Sequence, residues 1–557
     1  MSTSCQVGMN LAANTYYATE FPFIDRMKAS GGWVVNGATE PLEETPDGYP
    51  VRMPAGATSA YTMIGMDPTP ADYVLLYEGP GAPYMQGAAF GAQSPGRVAF
   101  HHDGGQMMLA IGGAGYRNMR VCRAEHEALL SAGEIFNPAF VSKIAAFDTL
   151  RYMDWINTNA TNVTRWADRT LPTYRTWQTS GDSSMPIEVM VALANKTRTN
   201  MWLNVPTKAD DDYVRQLMTY VRERLDPALS VHLEYSNEVW NWQFQQAGYA
   251  HVEAAKLWGT DANHDGHIDP LDHAEQYGPG WVTWYGYRAA QVASVAREVM
   301  KDRLHPVIAT QTAYLGLEGL IFDGVTRANL GSVTDLFDDY AVTTYFDGML
   351  RGANDADRAT ILSWARNGDA GLTAAFAALK DGTGLTAKDE GSLAWLASVM
   401  AAQGAVAKKN GLNLVAYEGG VDLTGGQKQG SEVVAFYRRV QANARMGDIY
   451  TQMVSDFGAA GGTLLNPLID VDAGFWGHLK SIYDTGSPAW DALVAAQKAA
   501  KGDVPVPAPV PAPTPDPVPT PAVDPDDKPT KDEIYAALTA VDKATSYARA
   551  LVKAYRK

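Results

Sequence analysis

Cysteine is nearly missing: Cys5 and Cys122 are the only two in 557 residues. Two cysteines build neither a disulfide framework nor a zinc site, and they leave at most one bridge open. Long apolar runs are missing too. None approaches the roughly 18 residues of a membrane span. The first residues, "MSTSCQVGMNLAANTYYATEF", lack a charged n-region and an apolar h-region, so no secretory signal is expected. The protein would then be cytoplasmic, or leave by another route such as carriage on a virion. Basic excess is also lacking. The formal net charge is -17, which argues against nucleic acid as a partner. No P-loop, dinucleotide fingerprint, nucleophile-elbow serine or HExxH zinc motif is found.

Apolar residues make up 46% and charged residues 19%, a balance that supports a sizeable core. The length suits a large barrel with accessories. The plainest boundary is Val504–Pro529, where proline stands at nearly every second position. Such a stretch favours extended polyproline II and acts as a semi-rigid spacer. Residues 530–557 follow it. Thr530 and Glu533 fit a capping box, and Ile534, Leu538, Val541, Thr545, Ala548, Val552 and Tyr555 alternate in steps of four and three. An amphipathic helix with no core of its own is expected to dock, on a second copy or on a larger particle.

Residues 31–123 contain no lysine, are rich in glycine, and hold short β-like runs such as "DYVLLYEG", "GRVAFH", "QMMLAIGG" and "RNMRVCR". They read as a small β-rich module inserted in the main domain, which comprises 1–30 and 124–500. That domain alternates strand-like and helix-like segments. "CQVGMNL" precedes "FPFIDRMKAS", and "LRYMDWI" precedes "MPIEVMVALANKT". "NMWLNVP", "SVHLEYS", "PVIATQT", "YAVTTYF", "LNLVAYE" and "GTLLNPLI" continue the series. Repeated βα order predicts a parallel sheet, and eight units predict a closed α/β (β/α)8 barrel over an open doubly wound sheet.

A barrel carries its chemistry at the C-terminal ends of its strands. The fourth strand ends in Ser236-Asn237-Glu238 and the seventh in Glu418. Two carboxyls about 5–5.5 Å apart suit a retaining glycosidase, one as nucleophile and the other as acid and then base. "YSNEVWN" with "VAYEGG" resembles the glycoside hydrolases of clan A, retaining (β/α)8 enzymes with Asn-Glu after strand four and Glu after strand seven. The resemblance implies acid/base Glu238 and nucleophile Glu418. It implies that Asn237 binds the sugar 2-hydroxyl and that Arg151 keeps Glu418 ionised. It implies that Tyr345 orients the nucleophile and that Trp476 floors the sugar site. Several clan members carry histidine two residues before that tyrosine; here the position is Thr343. Trp155, Trp240 and Trp242 are stacking candidates for sugar faces.

"DANHDGHIDPLD" fits a twelve-residue EF-hand loop. Asp261, Asn263, Asp265, His267 through its carbonyl, Asp269 and Asp272 occupy the ligating positions, with Gly266 at the turn. Asp272 stands where a bidentate glutamate is usual. A structural Ca2+ is expected there.

The expected activity is retaining hydrolysis of a polysaccharide or oligosaccharide, in a form suited to a phage-particle depolymerase. The competing reading is a catalytically silent barrel that binds glycans as an adhesin or receptor-binding protein.

Overall fold

A computed structural model describes residues 5–501 except 36, 39, 41, 82, 260–279, 388 and 389. The EF-hand-like segment, the proline-rich stretch and the C-terminal helix all lie outside the described residues.

Eight parallel strands close into a barrel. The first runs in two pieces, Gln6–Val7 and Met9–Asn10. The first piece pairs with the eighth strand, Gly462–Leu465, and the second with the second strand, Thr149–Arg151. Gly8 separates them. A Cβ there would meet Asn466 Oδ1 at 1.8 Å and the Thr149 carbonyl at 2.5 Å, so only glycine fits where the barrel shuts. Between these lie the third strand, Asn200–Val205, the fourth, Val231–Tyr235, and the fifth, Leu304–Ala309. The sixth, Asp339–Phe346, and the seventh, Asn413–Val421, complete the ring. Both faces of these strands are covered, which is why they read as nearly unbroken apolar runs. Trp202, Val307, Ala341, Val415, Tyr417 and Leu464 belong to a core cluster of their own, drawn from five of the strands.

Helices clothe the outside. Asp211–Arg224 shows the logic: Asp210 caps it by accepting from Tyr213 N, and Tyr213, Val214, Leu217, Met218 and Val221 form one buried stripe. Two long helices, Gln245–Trp258 and Trp281–Met300, separate the fourth and fifth strands.

Two expectations fail locally. "FPFIDRMKAS" forms only a 3-10 turn, Arg26–Ala29, because Phe21 takes a left-handed φ of 45° and Phe23 is drawn into a β-bridge with Phe136. The helix that fills the first unit is Pro138–Ile144, after the β-rich segment. "LRYMDWI" is strand only to Arg151. Met153–Ile156 is helical, and Asn157 ends that turn at a left-handed φ of 59°.

The β-rich segment forms two four-stranded antiparallel sheets. One contains Ala71–Glu78, Ala89–Ser94, Arg97–His102 and Arg117–Arg123; the other contains Val34–Val35, Ala60–Asp67, Tyr84–Met85 and Gly105–Ile111. Ile64, Leu75, Phe100, Leu109 and Val121 share a core separate from that of the barrel. Buried Asp67 ties it to the barrel side, accepting from Arg26 at 3.0 Å, Arg123 at 2.9 Å and Tyr73 at 2.6 Å. Arg175, from the loop after the second strand, donates to Ser30 Oγ and the carbonyls of Gly31 and Gly48. Cys5 and Cys122 are both buried and unbridged.

Candidate active site

Arg151 ends the second strand and is fully buried. One nitrogen, Nη1, donates to Glu418 Oε1 at 2.8 Å and to Asn10 Oδ1 at 3.0 Å. The other, Nη2, donates to Glu234 Oε2 at 2.8 Å and Asn237 Oδ1 at 2.9 Å. Burial pushes the guanidinium down; Glu234 and Glu418 push it up and prevail, so it stays charged.

Glu418 reaches the mouth because of a bulge. Val342 pairs with Ala416, yet Thr343 pairs with Glu418, so Tyr417 is an extra residue in the seventh strand. Such an insertion breaks the two-residue alternation. Neighbours Tyr417 and Glu418 thereby both serve the site. Glu418 is 6% exposed. Its Oε2 accepts from the Tyr345 hydroxyl at 2.9 Å. Burial raises Glu418 to about 8; Arg151 and Tyr345 pull it down, and charge on Glu238 pushes it up. The donor set, one cation and one phenol, matches an ionised carboxylate.

Glu238 follows the fourth strand on a backbone shaped for display. Ser236 and Glu238 both take left-handed angles, φ 60° and 41°. Each costs about 1–2 kcal/mol in a non-glycine residue. Hydrogen bonds hold the turn: Ser236 N donates to the Val205 carbonyl at 3.0 Å, and the Ser236 and Thr207 hydroxyls lie 2.7 Å apart. The Tyr417 hydroxyl donates to Glu238 Oε1 and Asn241 Nδ2 to Oε2, each at 2.8 Å. Burial and both carboxylates raise Tyr345 and Tyr417 well above the ordinary phenol range, so both remain donors.

A cavity of about 480 Å³ opens here, with Glu238, Trp240, Trp242, Thr343, Tyr345 and Tyr417 in its wall. Thr343, where histidine was noted in relatives, shares a 2.8 Å hydroxyl pair with Thr312. A larger recess of about 750 Å³, bordered by Asp211, Tyr249 and Trp284, contains none of these groups.

The structure therefore joins Glu418, Arg151, Asn237 and Tyr345 by hydrogen bonds, with Glu238 held separately by Tyr417 and Asn241. Asn237 is 2% exposed and also donates to Asn159 Oδ1 at 3.1 Å. Trp476 stands edge-on to Tyr345 with centroids 5.4 Å apart. Trp240 is half-buried against Tyr285 and Tyr417 while facing the cavity. Trp155 must be corrected. It is fully buried among Phe23, Phe140 and Tyr152, because the second strand ends early and its helical turn points the ring into the core.

Sequence reasoning missed Glu234, Tyr417 and Asn241. Glu234 is 1% exposed and also accepts from Trp202 Nε1 and Asn204 Nδ2. Its signal was an acid between Leu233 and Tyr235, both buried, inside a strand. Among the described residues no group of three or more His, Cys, Asp or Glu is placed to hold a metal, and no helix is long and apolar enough to cross a membrane.

The fold and site together define a (β/α)8 barrel with two carboxylates displayed at its mouth. Solved structures similar to this chain are glycoside hydrolases. One is the CBM22-1 and GH10 modules of a Clostridium thermocellum endo-1,4-beta-D-xylanase complexed with xylohexaose, at 9% identity and TM-score 0.36, covering 86% of this chain and 96% of that one. Another is a Thermotoga maritima alpha-L-arabinofuranosidase, at 11% and 0.36, covering 64% and 62%. A third is a GH5-4 endoglucanase from Clostridium acetobutylicum, at 12% and 0.30, covering 65% and 89%. No protein-family model and no curated protein matches the chain.

Proposed function

We propose that the protein is a retaining glycoside hydrolase that cleaves a polysaccharide or oligosaccharide by double displacement. The observation that carries this is Glu418 gripped by Arg151 and Tyr345 while Glu238, across the barrel mouth, is gripped only by neutral donors. Arg151 and Tyr345 oppose the rise that burial imposes on Glu418, and Glu238 faces the cavity with no cation bonded to it among the described residues. Glu418 attacks the anomeric carbon as Glu238 gives its proton to the leaving oxygen, forming a glycosyl ester. Glu238, now a carboxylate, takes a proton from water; the water oxygen attacks the same carbon and Glu418 leaves. The configuration is retained. Trp240 and Trp242 offer ring faces to the sugar.

The test is a screen of bacterial and plant polysaccharides with product sizing, followed by NMR of the first-formed anomer. Retention is expected. Inversion would refute the mechanism. If the wild type releases no sugar from any glycan that it binds, the silent glycan-binding reading stands instead; release unchanged in both Glu238→Gln and Glu418→Gln would remove these residues from the mechanism.

Particle association through residues 530–557 belongs to the same proposal. A stiff proline-rich spacer and a docking helix suit an enzyme carried to a host surface glycan.

A further inference from the structure

Beside the mouth lies a second cavity, of about 390 Å³, that the chemistry above leaves unused. Trp476 lines this second space and stands edge-on to Tyr345, which lines the first. Val421, three residues beyond Glu418, lines it from the barrel side.

Its polar groups are unmatched. The His478 ring stands edge-on to Tyr450, with centroids 5.3 Å apart. Nδ1 lies 2.7 Å from the Ile469 carbonyl, so that nitrogen carries the proton. Nε2 is then an acceptor; the residue is 6% exposed, and this atom has no partner. Two cations share the lining. Lys480 Nζ donates only to the carbonyls of Gly474 and Gly477, at 2.6 and 3.2 Å. Arg438 donates to the Ala473 carbonyl at 3.3 Å, and its guanidinium carbon lies 5.6 Å from the Phe475 ring centroid. Neither forms an ion pair among the described residues. The lining carboxylate, Asp484, turns Oδ2 to the amides of Lys480 and Ser481. Burial pulls Lys480 down to about 8, with Arg438 adding to the fall and Asp472 and Asp484 opposing it.

We propose that this cavity binds a sugar unit bearing an anionic group, so that the substrate is an acidic glycan. Phe475 and Trp476 supply ring faces for the sugar. Arg438 and Lys480 supply two cations for its anion, and His478 Nε2 accepts from a hydroxyl. An acidic unit brings a counter-charge to Arg438 and Lys480, neither of which has an ion-pair partner among the described residues, and a neutral unit brings none. Specificity follows from the penalty on the wrong ligand. This rests on the glycosidase reading for its substrate, though not for its measurement.

The experiment uses the full chain as Glu418→Gln, so that ligands survive, and titrates three oligosaccharides by calorimetry: neutral, uronate-containing and sulfated. At least tenfold tighter binding of an anionic probe is expected, weakening with salt. The uronate and sulfate arms identify the anion. Arg438→Ala and Lys480→Met, singly and together, are expected to lower that affinity, about threefold or more for each single change, without weakening neutral binding. Lys480→Arg should retain the preference. Equal binding of all three probes, or a preference that survives the double variant, overturns the proposal. If Glu418→Gln still releases sugar, the hydrolase mechanism fails while the binding result stands by itself.

Discussion

Arg151 joins Glu418 to Glu234 through opposite nitrogens of one buried guanidinium. Aiming the first contact depends on holding the second. Glu234→Gln is expected to lower kcat about a hundredfold with little change in KM, because a 1 Å misplacement at the reacting centre can cost that much. It should also destabilise the fold by about 3–5 kcal/mol, the usual effect of removing one partner of a buried pair. Steady-state kinetics and denaturant unfolding check the two.

Tyr417 acts on the other carboxyl. Tyr417→Phe removes the hydroxyl that orients Glu238 and keeps the ring. A loss of about tenfold in kcat is expected for sugars with poor leaving groups, which need protonation. Aryl glycosides with good leaving groups should be much less affected. An equal loss on both would refute the role in proton donation.

A buried acid pair should set a pH dependence of stability. Glu20 and Asp470 are both fully buried. Burial raises Asp470 to about 6, and burial with the Asp470 charge raises Glu20 well above its usual range. The folded chain thus keeps a proton that the unfolded chain releases above about pH 4. The stability gained is full below that point and is lost as pH rises through about 6. Asp470→Asn should gain about 2 kcal/mol on the wild type between pH 4 and pH 7.5, read from unfolding curves at both. A constant difference would reject the assignment.

Calcium should stabilise through Asp261–Asp272. Saturation at a hundred times Kd is expected to add about 2.7 kcal/mol. Chelation should lower Tm, and Asp261→Ala with Asp265→Ala should abolish the shift. An unchanged Tm in excess calcium after chelation would remove the metal from the account.

Deleting 504–557 should leave hydrolysis intact and abolish particle association or self-assembly, as read by light scattering. A truncated chain that assembles as before would take that role from the tail.

The barrel was legible because parallel strands buried on both faces leave dense apolar runs, and their ends are marked by abrupt polar residues. Glu238 and Glu418 stood out by that contrast. The bulge at Tyr417 was not legible, since it is a mismatch between two strands and belongs to neither alone. Glu234 was hidden because its donors, Arg151, Trp202 and Asn204, come from other strands. Trp155 misled because a tryptophan near a strand end reads alike whether it faces sugar or core. The first unit was misread because the helix that completes it lies beyond an entire β sandwich.

Closure also orders the making of the protein. Val7 N is bonded to the Gln497 side chain, 490 positions away, and Gln6 pairs with Leu464. The first strand leaves the ribosome first and finds its last neighbours only when synthesis of the barrel is nearly complete. Until then Gln6–Val7 lacks its partner edge, although Met9–Asn10 already has the second strand beside it. The β sandwich, whose pairings are all internal to one short stretch, is free to form long before. The catalytic mouth is therefore expected to be the last part of the nascent chain to mature, with Glu418 reaching Arg151 only once the late strands are made.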